Sequence, residues 1–168
     1  MSSLGSRVSP ERGETTNDPH SGEMRLQVLM SSMPPTVLVV DDSPTAQRLI
    51  RESVEAGGYR VLTASDGDEA IEVASRERPE LIVLDIILPK KNGFQVCRHL
   101  KAVPETCEIK VVLLSSKNHE MDILWGKRQG ADGYLTKPFE PEQLLACIES
   151  ALRAESVSLI ATPEPIEP

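Results

Sequence analysis

No stretch of the 168 residues approaches the roughly 18 consecutive apolar side chains that a membrane-spanning helix requires. Basic residues are not in excess either. Eighteen Lys and Arg stand against 26 Asp and Glu, a net charge of -8. That balance excludes a general nucleic-acid binder, which needs a basic face. It equally excludes attraction to an anionic membrane surface. Cysteine is scarce: Cys97, Cys107 and Cys147 are an odd set with no CxxC pair. They form neither a disulfide framework nor a zinc-ligand pattern, and read as free thiols in a reducing cytoplasm. The N-terminus is polar and acidic before any apolar stretch, so it lacks a secretory signal. No internal repeat is present.

What is there is a soluble acidic chain of 39% hydrophobic residues, with one domain between two tails. Residues 1–33 read as an N-terminal extension. The first 22 are rich in Ser, Gly, Pro, Thr and charge and have no period, which predicts disorder. A short apolar cluster over 23–33 reads as a turn of helix, and Met24, Met30 and Met33 each offer a further start to translation. After Arg153 the sequence AESVSLIATPEPIEP, with three prolines, reads as a flexible tail over 155–168. The domain is assigned to 34–154. About 120 residues bury roughly 65% of their unfolded surface, enough to fold without staples.

Within the domain short apolar runs alternate with helical stretches. The runs are Thr36–Val40, Tyr59–Thr63, Leu81–Leu84, Ile109–Leu114 and Gly133–Leu135. Asp42-Ser43-Pro44 reads as a cap followed by Pro in a first helical turn, with Ala46, Leu49, Ile50 and Val54 as the apolar stripe and Gly57-Gly58 as the stop. Ala70, Ile71 and Ala74 repeat the stripe before Pro79, and Val96, Cys97 and Leu100 repeat it after Asn92-Gly93. A last helix starts at Pro141 and carries Leu144, Leu145, Ile148, Ala151 and Leu152. Fivefold strand–helix alternation implies a parallel sheet with helices on both faces. Near-continuous apolar strands agree, because such strands are buried on both sides. The expected fold is α/β, a flavodoxin-like (βα)5 three-layer sandwich with sheet order 2-1-3-4-5.

Polar residues sit where the apolar runs stop. VLVV runs into Asp41-Asp42, LIVL into Asp85, KVVLL into Ser115-Ser116, and YLT into Lys137-Pro138. In a doubly wound sheet all strand carboxyl ends lie on one edge, where ligands bind. Three carboxylates, a hydroxyl and an ammonium are therefore expected to converge. Clustered carboxylates raise one another's pKa unless a cation intervenes, and Mg2+ suits such a hard oxygen set. A carboxylate so placed can act as a nucleophile toward a phosphoryl group. Taken singly, each residue also reads as a helix cap, a turn residue or a surface lysine. Four strand ends carrying them together make that reading inadequate.

The stretches VLVVDDSPTAQRLI, LIVLDIILPKKNGFQV, VVLLSS and GADGYLTKPF resemble, in order, the signatures of receiver domains of two-component response regulators, over Pro34 to Arg153. The resemblance implies that Asp85 is the phosphoacceptor and that a sensor histidine kinase is the donor. It implies Mg2+ ligation by Asp42 and Asp85 directly, by Asp41 through water and by the Ile87 backbone carbonyl. It implies that Lys137 pairs with the phosphoryl group across a cis Lys137-Pro138 bond, and that Ser115 and Tyr134 act as switch residues. An apolar Ile87 and Lys117 would flank the phosphoryl group and set its lifetime. More narrowly, SSKNHEMDILWGKRQGADGYLTKPF resembles receivers of pilus-linked chemosensory systems, including twitching motility and phototaxis.

The helix over His119–Gln129 carries Gly126 inside it and a poorly defined apolar face, which marks it as marginal. The expected output is protein–protein contact through this fourth helix, the last strand and the last helix, with Trp125, Lys127, Arg128 and Tyr134 read by a downstream partner such as pilus or motility machinery. The chain would be a monomer or a phosphorylation-dependent dimer, not a classical enzyme. Three rival readings remain. A receiver-fold scaffold independent of phosphorylation is opposed by the complete Asp41, Asp42, Asp85, Ser115 and Lys137 set. An aspartyl-phosphate phosphohydrolase is opposed by Ile87, which stands where such enzymes place a second acid. A DNA-binding regulator is opposed by the tail after Arg153, which has no helix-turn-helix pattern and no basic patch.

Overall fold

The structure, a computed structural model, describes residues 33–116 and 119–158. The expectations for the N-terminal extension before Met33, for Lys117 and for the tail from 159 onward fall outside the described residues. The order is β1 (Thr36–Val40), α1 (Pro44–Ala56), β2 (Arg60–Ala64), α2 (Gly67–Glu77), β3 (Leu81–Asp85), α3 (Gly93–Ala102), β4 (Lys110–Ser115), α4 (Glu120–Arg128), β5 (Gly133–Thr136) and α5 (Pro141–Ser158). The strands form one parallel sheet, as the alternation predicts, and its order β2-β1-β3-β4-β5 is that of the expected flavodoxin-like fold.

Local chemistry explains where the helices begin. Ser43 caps α1 by accepting from the Ala46 amide at 3.3 Å, and Pro44 opens the first turn, where its missing N–H costs nothing. Asp66 caps α2 through the Glu69 amide at 2.8 Å. At α3, Asn92 and Gln95 form a reciprocal capping box, with bonds of 2.9 and 3.0 Å. β2 starts one residue later than its apolar run. The Tyr59 amide still donates to Val54 O at the end of α1, so pairing with β1 begins at Arg60. α5 continues to Ser158, past Arg153, where the sequence predicts a tail.

Because successive strand residues face opposite sides, the sheet feeds two cores. Val37, Val39, Leu81, Val83, Val112 and Leu114 pack with Ile50 and Val54 of α1 and with Leu144, Ile148 and Ala151 of α5. Leu38, Val40, Ile82, Leu84, Val111 and Leu113 pack with Ala70, Val73 and Ala74 of α2 and with Val96, Cys97 and Leu100 of α3. The result is three layers. One member of the predicted α1 stripe is corrected: Leu49 is 61% exposed, because the i, i+4 pair Ile50 and Val54 suffices to cover the sheet. The three cysteines are free, and burial pushes the Cys97 thiol up to about 12.

Candidate functional site

A parallel sheet sends every strand's carboxyl end to the same edge, and here that edge is where the charge sits. Asp41 follows β1 and is 2% exposed, and Asp85 ends β3 and is 9% exposed. Lys137, one residue beyond β5, reaches between them. Its Nζ donates to Asp85 Oδ2 at 2.7 Å and to Asp41 Oδ2 at 3.1 Å. The second oxygen of each carboxylate takes a backbone amide. Ser43 N–H donates to Asp41 Oδ1 at 2.9 Å, and Ile87 N–H donates to Asp85 Oδ1 at 2.9 Å. Both acids are thus fixed from two directions, as burial of charge requires.

The electrostatics follow from this packing. Burial raises the Asp85 carboxyl above the usual carboxylate range, and the Asp41 charge adds to the rise. The Lys137 and Ile87 hydrogen bonds and the Lys137 charge pull it back only in part. Burial also works against the charge on Lys137, but Asp85 and Asp41 outweigh it and hold the ammonium above its usual value.

The surrounding backbone closes the site. Ile86 N–H donates to Leu114 O of β4 at 3.0 Å, and Gly93 N–H donates to Ile86 O at 2.8 Å, so the loop after Asp85 is tied to the neighbouring strand and closes on its own first residue. Gly93 has to be glycine: a Cβ there would lie 2.6 Å from Asp85 O. Ion pairs from Lys90 to Asp66 and from Lys91 to Asp68 tie the same loop to the start of α2. The Lys137-Pro138 bond is cis, as the resemblance implies. Lys137 N–H donates to Ser115 O at 2.7 Å, which joins the end of β5 to the end of β4.

The other candidates are placed less tightly. Ser115 is buried at the end of β4, 4% exposed. Asp42 is exposed beside Asp41, and Ile87 is 64% exposed. Among the described residues no three His, Cys, Asp or Glu side chains are grouped closely enough to hold a metal ion. The donor chemistry nevertheless fits a hard divalent cation: the buried Asp41 and Asp85 carboxylates share a single ammonium, Asp42 lies exposed beside them in sequence, and all three offer hard oxygen ligands. Trp125 shares a groove with α3, Lys127 shares another with Glu120, Ile123 and Leu124, and the half-buried Tyr134 ring lies against α4 at Gly126. Arg128 is exposed at the end of α4.

Gln47 carries no motif that marks it out in the sequence, yet it bridges two strand ends. Its Nε2 donates to Ala64 O at 2.8 Å and to Asp41 O at 3.2 Å, which fixes the turn that presents Asp41 and Asp42. Beside Lys137 a cleft of about 630 Å3 opens between α1 and the Pro138–Pro141 turn, with Leu49 and Phe139 in its wall.

With this geometry in view, the comparisons with known proteins are informative. Residues 37–149 match the family model described as the response regulator receiver domain. The chain is 42% identical to protein PilH of Pseudomonas aeruginosa, over 69% of this chain and 96% of that protein. Other relatives, transcriptional regulators among them, are matched over only about half of their length. Among solved structures, the chemotaxis response regulator CheY4 of Vibrio cholerae is similar at a TM-score of 0.67 and 30% identity, covering 70% of this chain and 98% of that one. The receiver domain of sensor histidine kinase PA1611 from Pseudomonas aeruginosa, with magnesium coordinated in its active-site cleft, is similar at a TM-score of 0.66 and 27% identity, covering 71% and 98%. A sheet edge where one lysine holds two buried aspartates, on this topology and with this similarity, places the chain in the response regulator receiver family.

Proposed function

We propose that the chain accepts a phosphoryl group on Asp85 from the phosphohistidine of a sensor histidine kinase and signals by contact with a downstream protein. One observation carries this reading: the Lys137 ammonium held 2.7 Å from Asp85 and 3.1 Å from Asp41 at the strand edge. Lys137 favours the ionised, nucleophilic form of Asp85 against the burial that disfavours it. In the transfer a carboxylate oxygen of Asp85 bonds to phosphorus as the P–N bond of the donor breaks. The departing imidazole recovers its proton from solvent. Lys137 then turns to a phosphoryl oxygen and the Ser115 hydroxyl donates to another.

Mg2+, when bound, neutralises charge on the phosphoryl oxygens. Asp42 and Asp85 would hold it directly, Asp41 through water, and Ile87 through its backbone carbonyl. The cleft beside Lys137, with Leu49 exposed in its wall, suits an apolar surface on the kinase. Exposed Ile87 shields the phosphoryl group from water, so Ile87→Asn shortens its lifetime.

The output surface is α4, β5 and α5, with Trp125, Lys127, Arg128 and Tyr134. Phosphorylation draws Ser115 and Tyr134 inward and reshapes α4. Similarity to PilH over nearly all of that protein supports a role in pilus-based motility or taxis. No helix among the described residues is long and apolar enough to cross a membrane, which is compatible with a cytoplasmic site of action.

The decisive experiment incubates the protein with Mg2+ and a small acyl phosphate and reads intact mass. One added phosphoryl group in the wild type and none in Asp85→Asn is the expected result. An unmodified wild type, or a modified Asp85→Asn, overturns the reading in favour of a scaffold that does not use phosphorylation. Amide exchange tests the switch: a phosphoryl mimic alters protection across His119–Tyr134, and unchanged protection there removes α4 from the mechanism.

A further inference from the structure

Trp125, one residue of the proposed output surface, also lies in a groove that α4 forms with α3. The groove of about 210 Å3 between α3 and α4 is lined by Asn92, Phe94, Gln95, Arg98, Trp125 and Gln129. We propose that this groove is a docking site for a short acidic protein segment carrying an apolar anchor. The proposal rests on the reading of α4 as the element that partners recognise, and it adds both a location and a partner chemistry to that reading.

The chemistry of the rim decides the class of ligand. Asn92 Oδ1 accepts from Gln95 N–H, and Gln95 Oε1 accepts from Asn92 N–H. The capping box therefore consumes the carbonyl oxygens of both amides. Their NH2 groups have no acceptor among the described residues and are left as donors. Arg98, one turn further along α3, is exposed and has no acidic partner among the described residues. This edge of the groove thus offers donors and a positive charge on a chain whose net charge is -8. Acceptor-rich, anionic groups complement it, and a guanidinium pairs best with a carboxylate.

Phe94 and Trp125 supply the apolar part of the groove, with the Gln129 amide beside them. Trp125 is 50% exposed, an amphipathic ring suited to contact with an apolar side chain, and Phe94 lies beside it. Acid beside apolar residue is therefore the pattern that fits. The acidic first-turn residue Glu120 does not compete, because it lines the other groove of α4 with Lys127.

The groove is also wired to the site. Phe94 follows Gly93, which sits against Asp85 O, and a Cβ at Gly126 would meet Phe94 at 3.6 Å and Tyr134 at 3.4 Å. Any shift of α4 over Tyr134 alters the spacing of Trp125 from α3. Occupancy of the groove and modification of Asp85 are thereby coupled, each shifting the other in the same direction.

Trp125 is the sole tryptophan in the chain, so its emission reports occupancy directly. The test titrates the full chain with a synthetic peptide in which aspartates flank one leucine and one phenylalanine, and with its counterpart carrying lysines for aspartates. The expected result is a saturable change in Trp125 emission with the aspartate peptide alone, weakened roughly tenfold in Arg98→Glu and largely retained in Arg98→Lys. Backbone NMR shifts then fall on Asn92, Gln95, Arg98 and Trp125. Equal response to both peptides, an unchanged Arg98→Glu, or shifts confined to Tyr134 and α5 would each overturn the proposal. The intact-mass assay on the same sample separates the two readings. A chain that takes up phosphoryl on Asp85 but ignores the peptide loses the groove and keeps the receiver chemistry. A chain that binds the peptide but is never modified shows the opposite.

Discussion

Two neighbouring helices on one face of the sheet, α3 and α4, are held in place by different means. α3 buries Gly93, Val96, Cys97 and Leu100, and opens on a capping box. Its Lys101 reaches across to Ile109 O at 2.7 Å and to Asp132 Oδ2 at 3.0 Å. α4 buries only Gly126, begins at His119 without a side-chain cap, and exposes Met121, Leu124 and Trp125. The first helix is anchored by apolar side chains inserted into the core. The second rests on the sheet through a glycine's backbone and can move without unpacking the core. In the reading proposed above, the first helix keeps the acid site in register and the second reports on it.

The comparison is most easily broken by side-chain truncation. Leu100→Ala in α3 empties a fully buried position and is expected to cost about 2–5 kcal/mol, whereas Leu124→Ala in α4 stays within roughly 0.5 kcal/mol. Urea unfolding of both variants measures the gap, and similar losses would mean that the helices are equally anchored. Caps sharpen the contrast. Asn92→Ala removes the α3 cap and costs about 1 kcal/mol, while His119→Ala removes nothing from α4 and leaves the urea midpoint in place.

Gly126→Ala is a subtler probe. Helix propensity alone predicts a gain of about 1 kcal/mol. The new Cβ, however, would meet Leu113 Cδ1 at 3.0 Å, and Leu113 is fully buried and cannot withdraw. The gain is therefore expected to vanish, and faster amide exchange over Glu120–Arg128 would show that α4 has been lifted from the sheet. A full gain would show that α4 already sits away from the core.

The last prediction concerns the site that α3 keeps in register. The folded Asp85 carboxyl titrates above the ordinary value, so the folded state holds this proton more tightly than the unfolded state does. Stability contributed by Asp85 therefore falls as pH rises through that window, and the deficit persists at neutral pH. Asp85→Asn is expected to raise the melting temperature at pH 7 and to lose the advantage as pH drops below about 4. An equal advantage at both pH values would assign the effect to something other than the carboxylate charge.

Much of this was legible in the chain itself. Strand runs were placed to within a residue because buried parallel strands are continuously apolar, and Asp85, Ser115 and Lys137 stood out because polar residues interrupted those runs. The exposure of Leu49 was not legible, since a helical stripe shows which residues share a face and not how much of that face the sheet covers. Nor was Gln47, whose role depends on a β2 carbonyl that is 17 residues away in sequence. Nor were the grooves beside α4, one with Trp125 in its lining and another with Lys127, since they depend on which neighbours the helix packs against.

Local pattern alone settled the alternation of elements, their caps and the edge where charge would gather, because period and capping act within a few residues. Only the packed molecule decided that Lys137 touches Asp41 and Asp85 while Asp42 stays in solvent, and that α4 borders a groove of donors. Those facts depend on distances across the sheet, which no short stretch of sequence encodes.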